Sequence, residues 1–183
     1  MIDIPGMADA FFVIVEVPAT LPLPALDQNA LLTMAVNCTV NKFIGLDEKI
    51  VIGNIFVDNH DEITQVMTDR NISNLDNFIT TQLSNWAKLH HVYLKRITED
   101  RFIVMMHYNS LTKMEEEKFS IIDQIRERTS KQNFPLTLSI GIAYGSDDLS
   151  ELSKLAQSNL DLALGRGGDQ VVVNVFGKQL EYY

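Results

Sequence analysis

The sequence predicts an α+β fold of the ferredoxin-like type, in which an antiparallel central sheet carries helices packed on it. Three observations predict this fold. Apolar runs that alternate with amphipathic segments begin near residue 50. Two of the runs are separated by only four residues, which indicates a hairpin. The resulting order of elements is β-α-β-β-α-β-α-β, and its first six elements are those of a ferredoxin-like unit.

The first half of the pattern contains three strands and one helix. Strands are predicted at residues 51–57, 92–97 and 102–106, and residues 98–101 form the tight connection between the last two. A helix is predicted between the first two strands. Its apolar positions recur at helical spacing, at Ile72, Leu75, Ile79, Leu83 and Trp86.

The second half alternates helices and strands. Phe119, Ile122 and Ile125 predict a helix, and an alternating strand follows at residues 136–142. Asp148 is a good helix N-cap, with Glu151 placed for a capping box. Gly165 is placed to end this helix. Further strands are predicted at residues 171–173 and 180–183.

Charge and composition exclude several classes of function. The net charge of −9 opposes binding to a phosphate backbone, so we expect no nucleic-acid partner. The single cysteine, Cys38, cannot form an internal disulfide, which fits a cytoplasmic location. The most apolar stretch, residues 11–25, contains Glu16 and three prolines, so we expect neither a membrane span nor a secretory signal.

Composition also divides the chain. Four of the five prolines fall in the first 24 residues. We therefore expect residues 1–47 to be a linker or the remnant of a preceding domain, with a strand at 11–17 and a short helix at 31–36. Residues 48–183 are expected to form the main domain.

Two stretches carry a resemblance to a known family. Residues 138–143, LSIGIA, resemble the S-[IV]-G-[IV]-A strand of GGDEF (diguanylate cyclase) domains. Residues 156–171 resemble the closing helix and the G-[RK]-N-x-V turn of that family, with Gly167 at the glycine. At family spacing, residues 98–102 (TEDRF) stand where Gly-Gly-Asp-Glu-Phe would be. Asp58 and Asn59 match the second Asp and the Asn of the D-x-D-N-F-K segment. The resemblance covers about residues 50–175 and implies the nucleotidyl-cyclase (GGDEF) fold.

A narrower resemblance is found in residues 51–59, 118–123, 131–133 and 160–171. These runs look like the degenerate GGDEF domain of GdpP-type (YybT-type) cyclic-di-AMP phosphodiesterases of Firmicutes. The resemblance implies a membrane-anchored parent protein that holds this domain in the cytoplasm. It also implies two partners, a PAS domain before this domain and a DHH/DHHA1 phosphodiesterase pair after it. This chain shows no DHH/DHHA1 part.

The resemblance implies that the cyclase site is degenerate. A cyclase needs carboxylates to hold divalent cations against a triphosphate. Asp100 stands at the acidic third position of the hairpin motif, but five other functional positions are changed. Phe56 replaces the metal-binding Asp, Glu99 the second glycine, Arg101 the motif Glu, Leu164 a phosphate-binding Lys, and Gln65 the guanine-binding Asp. Leu89 and Val92 stand where the inhibitory RxxD motif would be. We expect no cofactor, with magnesium or manganese relevant only if a residual nucleotide site is active.

Six residues are candidates for weak nucleotide binding, through hydrogen bonds to a base or ion pairs with phosphates. They are Asp58, Asn59, Arg96, Asp100, Arg101 and Arg166. The structural alternative is that Asp58 and Asn59 start a turn and that the arginines are solvated or salt-bridged. We expect no catalytic residue and no metal ligand.

The sequence therefore predicts a degenerate GGDEF regulatory domain without diguanylate cyclase activity. It would couple a sensory domain to a cyclic-di-AMP phosphodiesterase through packing or homodimerisation. Two alternatives stay open at this point. One is a weak nucleotide-binding or ATP-hydrolysing domain that uses Asp100 and Asp58. The other is a pure dimerisation scaffold.

We predict that residues 1–45 contribute little to the core of the later domain. The reason is the composition break and the self-contained pattern of elements after residue 50. A chain that starts at Glu48 should melt cooperatively at nearly the temperature of the full chain, as measured by differential scanning calorimetry. A loss of several kcal/mol, which is more than a peripheral segment contributes, would show that the predicted strand at 11–17 belongs to the core.

Overall fold

The computed structural model describes residues 49–130, 135–177 and 181–182. The strand predicted at residues 11–17, the helix predicted at 31–36 and Cys38 lie outside these ranges. Within them, no helix is both long enough and apolar enough to cross a membrane.

Six strands and five helices make up the described residues. The strands are β1 (Ile50–Val57), β2 (Tyr93–Arg96), β3 (Arg101–His107), β4 (Leu138–Tyr144), β5 (Val171–Val175) and β6 (Glu181–Tyr182). The helices are α1 (His60–Thr64), α2 (Asp69–Leu89), α3 (Tyr108–Glu116), α4 (Ile121–Ser130) and α5 (Leu149–Gly165).

The strands form one sheet in the order β2-β3-β1-β4-β5-β6. The first four strands of this order pair antiparallel, which is the arrangement expected for a ferredoxin-like unit. β5 extends the sheet by pairing parallel to β4, with α5 as the crossover helix that a parallel pair requires. The predicted α+β fold is therefore confirmed, with one parallel pair added to the antiparallel centre.

The two faces of the sheet are covered differently. One face packs against the apolar sides of α2, α3 and α4, and it holds the larger core cluster, which includes Val51, Ile55 and Val104. The other face packs against α5, whose Leu152 and Ala156 join a smaller cluster around Met105. Strand β1, at the centre of the sheet, contributes alternate residues to both clusters, as the period of a strand requires.

Helix α5 lies in backbone contact with β4 at Gly141. A Cβ atom added to Gly141 would stand 2.2 Å from the backbone nitrogen of Leu160 and 2.4 Å from the carbonyl oxygen of Ala156. Next to this contact, the side-chain amide of Asn159, which is fully buried, donates a 2.7 Å hydrogen bond to the carbonyl of Ile142. The absence of a side chain at position 141 thus sets the distance between helix and sheet.

Three helices end in the same way. In α2, α3 and α5, the second residue after the helix has a positive φ, and the two amides that follow the cap bond back to carbonyls of the last turn. This is the Schellman motif. The residues with positive φ are His91 (55°), Lys118 (51°) and Gly167 (109°). Gly165 is the last residue of α5, as predicted, but the glycine in the left-handed conformation is Gly167.

The prediction for the segment between β3 and β4 was wrong in detail. We expected one helix marked by Phe119, whereas α3 and α4 are separate helices and Phe119 lies between them with a φ of 49°. Its ring is buried in the core, which is why it follows the apolar pattern of a helix. Helix α3 buries only Leu111 and Met114, so its pattern is too sparse to predict a helix from sequence.

The predicted cap of α5 is confirmed, but Glu151 closes the capping box through the hydroxyl of a third residue, Ser146. The carboxylate of Asp148 accepts hydrogen bonds from the amides of Ser150 and Glu151. The Glu151 carboxylate does not bond the Asp148 amide directly. It accepts from the Ser146 hydroxyl at 2.9 Å, and that hydroxyl accepts from the Asp148 amide at 3.1 Å. Ser146 therefore completes the box.

We predict that Gly141→Ala destabilises the domain by about 3 kcal/mol, because the added methyl group overlaps backbone atoms of α5 that cannot rotate away. Gly165→Ala is the matched control, since nothing lies within 4 Å of its added Cβ. That substitution should leave stability unchanged or raise it by up to about 1 kcal/mol. Urea unfolding measures both. Equal stability of the two variants would contradict a backbone contact at Gly141.

Candidate functional site

The six residues proposed from sequence lie at one end of the sheet. β1 ends at Val57, whose amide donates to the Asp100 carbonyl of the β2–β3 hairpin. The next residue, Asp58, contacts the turn that follows α5, the turn that contains Arg166. The ends of β1, of the hairpin and of α5 therefore meet.

Asp58 holds the turn after α5. Its Oδ2 accepts a 2.9 Å hydrogen bond from the amide of Asp169, which has a φ of 57°. The hydroxyl of Ser139 on β4 accepts from the same amide at 3.1 Å. A Cβ on Gly168 would stand 2.8 Å from the Asp58 carboxylate, and the φ of Gly168 is 77°. Both the space and the backbone conformation therefore require glycine at position 168.

An arginine from the opposite face of the sheet completes this turn. Arg126 of α4 binds the Asp169 carboxylate at 2.6 Å and the Asp123 carboxylate at 2.8 Å. The hydrogen bond to Asp169 is the main cause that raises the pKa of Arg126 above its ordinary value. The Asp58 oxygen Oδ1 and the Asp169 oxygen Oδ1 are buried without a hydrogen-bond partner among the described residues.

Asn59 joins the end of β1 to the start of β4. Its side-chain nitrogen donates to the Pro135 carbonyl at 2.7 Å, and its oxygen accepts from the Thr137 amide at 3.2 Å. Both groups of the amide are therefore used within the domain. Asp58 and Asn59 each have a structural contact that explains their presence at this position.

Arg96 organises the hairpin loop. Its guanidinium donates to the carbonyls of Thr98, at 3.0 Å, and of Glu99, at 2.6 Å. The same group binds the Asp76 carboxylate of α2 at 3.1 Å. The buried His60 at the start of α1 lies 3.0 Å from the same Asp76 oxygen. Arg96 therefore fixes the loop and joins it to α2.

Asp100 closes the hairpin turn. Its carboxylate accepts a 2.6 Å hydrogen bond from the Thr98 hydroxyl. This contact uses one oxygen of the acidic group that stands at the third position of the family motif. Thr98, which replaces the first glycine of that motif, thus orders the loop through its side chain.

Phe56 and Arg101 are direct cross-strand partners on β1 and β3. The guanidinium carbon of Arg101 lies 5.1 Å from the centre of the Phe56 ring, in a cation–π contact. These are the two positions at which the family resemblance places acidic groups. Here they carry an aromatic ring and a positive charge, and neither group can coordinate a divalent cation.

The donor set does not fit a metal elsewhere either. Among residues 49–130 and 135–177, no three His, Cys, Asp or Glu side chains come close enough to hold an ion. Arg166, the last of the six proposed residues, is exposed in the turn after α5 and has an interaction within the domain. Nucleotide binding by the six residues stays a prediction.

Sequence reasoning missed four residues that support this end of the sheet: His60, Asp76, Arg126 and Ser139. Ser139 had a signal, because a hydroxyl inside the buried run LSIGIA needs a partner. The other three act through contacts that span 16 to 43 residues in sequence, such as the 16 between His60 and Asp76. No local pattern indicates contacts of this kind.

The fold defines the class of protein. Solved GGDEF domains superpose on the chain at low sequence identity. The DgcB domain from Caulobacter crescentus, solved with c-di-GMP, gives a TM-score of 0.63 at 13% identity and covers 80% of this chain and 88% of that one. An active GGEEF domain of a diguanylate cyclase from Vibrio cholerae gives 0.58 at 16%, covering 79% and 92%. The adenylyl cyclase CyaB from P. aeruginosa gives 0.53 at 11%, covering 69% and 76%. The domain therefore has the nucleotidyl-cyclase fold.

Sequence comparison gives the family. Residues 55–180 match the family described as "Cyclic-di-AMP phosphodiesterase GdpP-like, GGDEF domain". The cyclic-di-AMP phosphodiesterase PdeA of Listeria monocytogenes is 57% identical over 135 residues, and GdpP of Bacillus subtilis is 42% identical over 137. The chain belongs to the GdpP-like GGDEF domain family of cyclic-di-AMP phosphodiesterases. The alignments cover 74% and 75% of this chain but only 20% and 21% of the two relatives, so the chain spans about a fifth of their length.

We predict that Asp58→Ala destabilises the domain by about 2 kcal/mol, because the Asp169 amide loses its charged acceptor and keeps only the Ser139 hydroxyl. Asp61→Ala is the matched control, since the Asp61 side chain is 84% exposed and its loss should cost less than about 0.5 kcal/mol. Urea unfolding gives the two free energies, and hydrogen exchange at Gly168 and Asp169 locates the change. If the two variants lose the same stability, Asp58 does not hold the turn.

Proposed function

We propose that this chain is a regulatory GGDEF domain that has lost diguanylate cyclase activity and acts on a cyclic-di-AMP phosphodiesterase. The Phe56–Arg101 contact is the observation that carries this proposal. It fills the two facing positions from which carboxylates would hold the cations. A cationic side chain there repels a divalent ion, and electrostatic stabilisation of the transition state requires such an ion.

The hairpin supports the same conclusion. Thr98 and Glu99 replace glycines, and the loop is held by side-chain contacts from Thr98, Asp100 and Arg96. In the family, the two glycines let the backbone approach the nucleotide closely. The side chains at these positions occupy space that a triphosphate would need.

The parent context is also a proposal. The family match and the length of the relatives support a larger protein in which further domains accompany this one. We propose that these include a PAS domain and a DHH/DHHA1 phosphodiesterase pair, in a membrane-anchored protein that holds this domain in the cytoplasm. The domain would act by packing against its neighbours or by forming a homodimer.

Residual nucleotide binding is the second candidate function. The exposed guanidinium of Arg101, which lies against an aromatic ring, favours it because such a surface can accept a base or a phosphate. Calorimetry with ATP, GTP and cyclic dinucleotides separates a binding module from a scaffold that binds none of them. Magnesium-dependent ATP turnover that Asp100→Ala abolishes would indicate hydrolysis.

We predict that the chain makes no cyclic-di-GMP from GTP, and that the double variant Phe56→Asp/Arg101→Glu makes none either. The double variant restores two carboxylates for the metal. It leaves Thr98 and Glu99 in the hairpin and Leu164 without a charge for the phosphates. The measurement is product formation from radiolabelled GTP with magnesium and with manganese.

The two outcomes that would contradict this prediction have different meanings. Product from the wild type would refute the loss of cyclase activity. Product from the double variant alone would show that Thr98, Glu99 and Leu164 do not block catalysis. A solved, active GGEEF domain of the same fold serves as the positive control for the assay.

We also predict that this chain alone does not hydrolyse cyclic-di-AMP. The described residues contain no cluster that could hold the metal ions of a phosphodiesterase. The measurement is hydrolysis of cyclic-di-AMP by the pure chain with manganese. Turnover that rises in proportion to protein, and that a mock purification lacks, would contradict the prediction.

A further inference from the structure

The sheet face that carries α5 is covered over only part of its width. The row of cross-strand partners that contains Gly141 continues through Asn54 on β1 and Ile103 on β3 to Lys95 on β2. Helix α5 lies directly on Gly141 and packs on β4, β5 and β1. The other long helices bury their apolar residues in the cluster on the opposite face. Met105, two residues further along β3, still packs with Leu152 and Ala156 of α5. In the row beyond Asn54, however, Ile103 belongs to neither cluster, and no helix of the described residues covers it.

We call the uncovered part the open half-face and define it by five residues: Asn54, Phe56, Lys95, Arg101 and Ile103. All five lie on the same side of the sheet, because directly paired residues share a side and side chains alternate along each strand. Arg101 is exposed and the other four are half-buried. The surface therefore combines two apolar side chains, one amide and two cations.

Charge distinguishes this surface from the rest of the domain. The chain has 24 acidic and 15 basic residues, yet none of the five positions carries a carboxylate. Neither Lys95 nor Arg101 forms an ion pair with any residue that the structure describes. The acidic residues nearest in sequence lie in the hairpin loop, where the Asp100 carboxylate is bonded to Thr98. The open half-face therefore presents two cations that have no ion-pair partner among the described residues, beside an apolar centre; Arg101 is stacked on Phe56.

The width of the open half-face suits one α-helix. Neighbouring strands lie about 4.8 Å apart, so β3 lies about 10 Å from β4 across the sheet. Packed helices have axes 8–10 Å apart. A helix that packs beside α5, on the same layer, would therefore be centred over Ile103. The polar edge of that helix would lie over Lys95 and Arg101.

We propose that the open half-face docks an amphipathic α-helix whose apolar stripe covers Ile103 and Phe56 and whose carboxylates pair with Lys95 and Arg101. The helix comes from the remaining part of the larger polypeptide, since the chain spans about a fifth of its relatives' length. This rests on the proposed regulatory function and names the surface through which it acts. A second copy of the domain is a poor occupant. Two-fold pairing of this face would bring Lys95 and Arg101 of one copy close to the same two cations of the other.

The test compares this full chain alone with a graft. In the graft, the matched 135 residues of the Listeria phosphodiesterase are replaced by those of this chain, to which they are 57% identical. Amine-reactive labelling of Lys95 and hydroxyl-radical oxidation of Phe56 report on the open half-face. Both rates should be roughly fivefold lower in the graft, as expected where a contact excludes water.

Charge reversal should undo this protection. Because Arg101 itself covers part of the Phe56 ring, each double variant is compared with the same double variant of the isolated chain. For Lys95→Glu/Arg101→Glu, Phe56 oxidation should then be equally fast in the graft and in the isolated chain. Arg70→Glu/Lys113→Glu changes the net charge equally at exposed positions on helices that pack on the opposite face, and it should leave the protection unchanged. In the isolated chain, both double variants should melt near the wild-type temperature, which separates loss of docking from loss of folding.

Three results would overturn the proposal. One is equal labelling of Lys95 in the graft and the isolated chain. Another is protection in the isolated chain that dilution removes, because a second copy would then be the occupant. The third is protection in the isolated chain that disappears when residues 1–47 are deleted. Phosphodiesterase activity of the graft is measured separately. If the face is protected in the graft but charge reversal leaves the activity unchanged, the docking surface stands and the regulatory function is refuted.

Discussion

The contact between α5 and β4 at Gly141 is the constraint on which the arrangement of this domain depends. With backbone against backbone, the helix cannot shift away from or along β4 without losing the Asn159–Ile142 hydrogen bond. The position of α5 then fixes where its last turn ends. That turn meets Asp58 and Ser139 at the end of the sheet. One missing side chain in the middle of a strand thus determines the geometry of a loop several residues away.

At the same end of the sheet, most of the polar groups proposed from sequence have partners within the domain. Asp58, Asn59, Arg96 and Asp100 stand where a nucleotide enzyme of this fold has functional groups, and here each is bonded to backbone or to side chains of its own domain. These contacts hold three loops in one arrangement. Hydrogen bonds of this kind lock side chains and loops in one geometry.

Much of the fold follows from local patterns. The strands, the hairpin, α2 and the Asp148 cap each have a period or a cap residue that sequence alone reveals. Helix α3 and the position of Phe119 were missed, because burial of Phe119 imitates helical spacing while its backbone is left-handed. The site residues divide in the same way. Motif positions such as Asp58 could be proposed from sequence, but Arg126 and Asp76 act through tertiary contacts that have no local signal.

The stacking of Arg101 on Phe56 makes the two positions depend on each other. An aspartate at position 56 alone would remove the stack and place a carboxylate beside a guanidinium, as an ion pair. A glutamate at position 101 alone would place a carboxylate against the face of a benzene ring. Each single change therefore loses a favourable contact of about 0.5–1 kcal/mol. Residues 56 and 101 are thus expected to vary together, as a pair, among domains that share this contact.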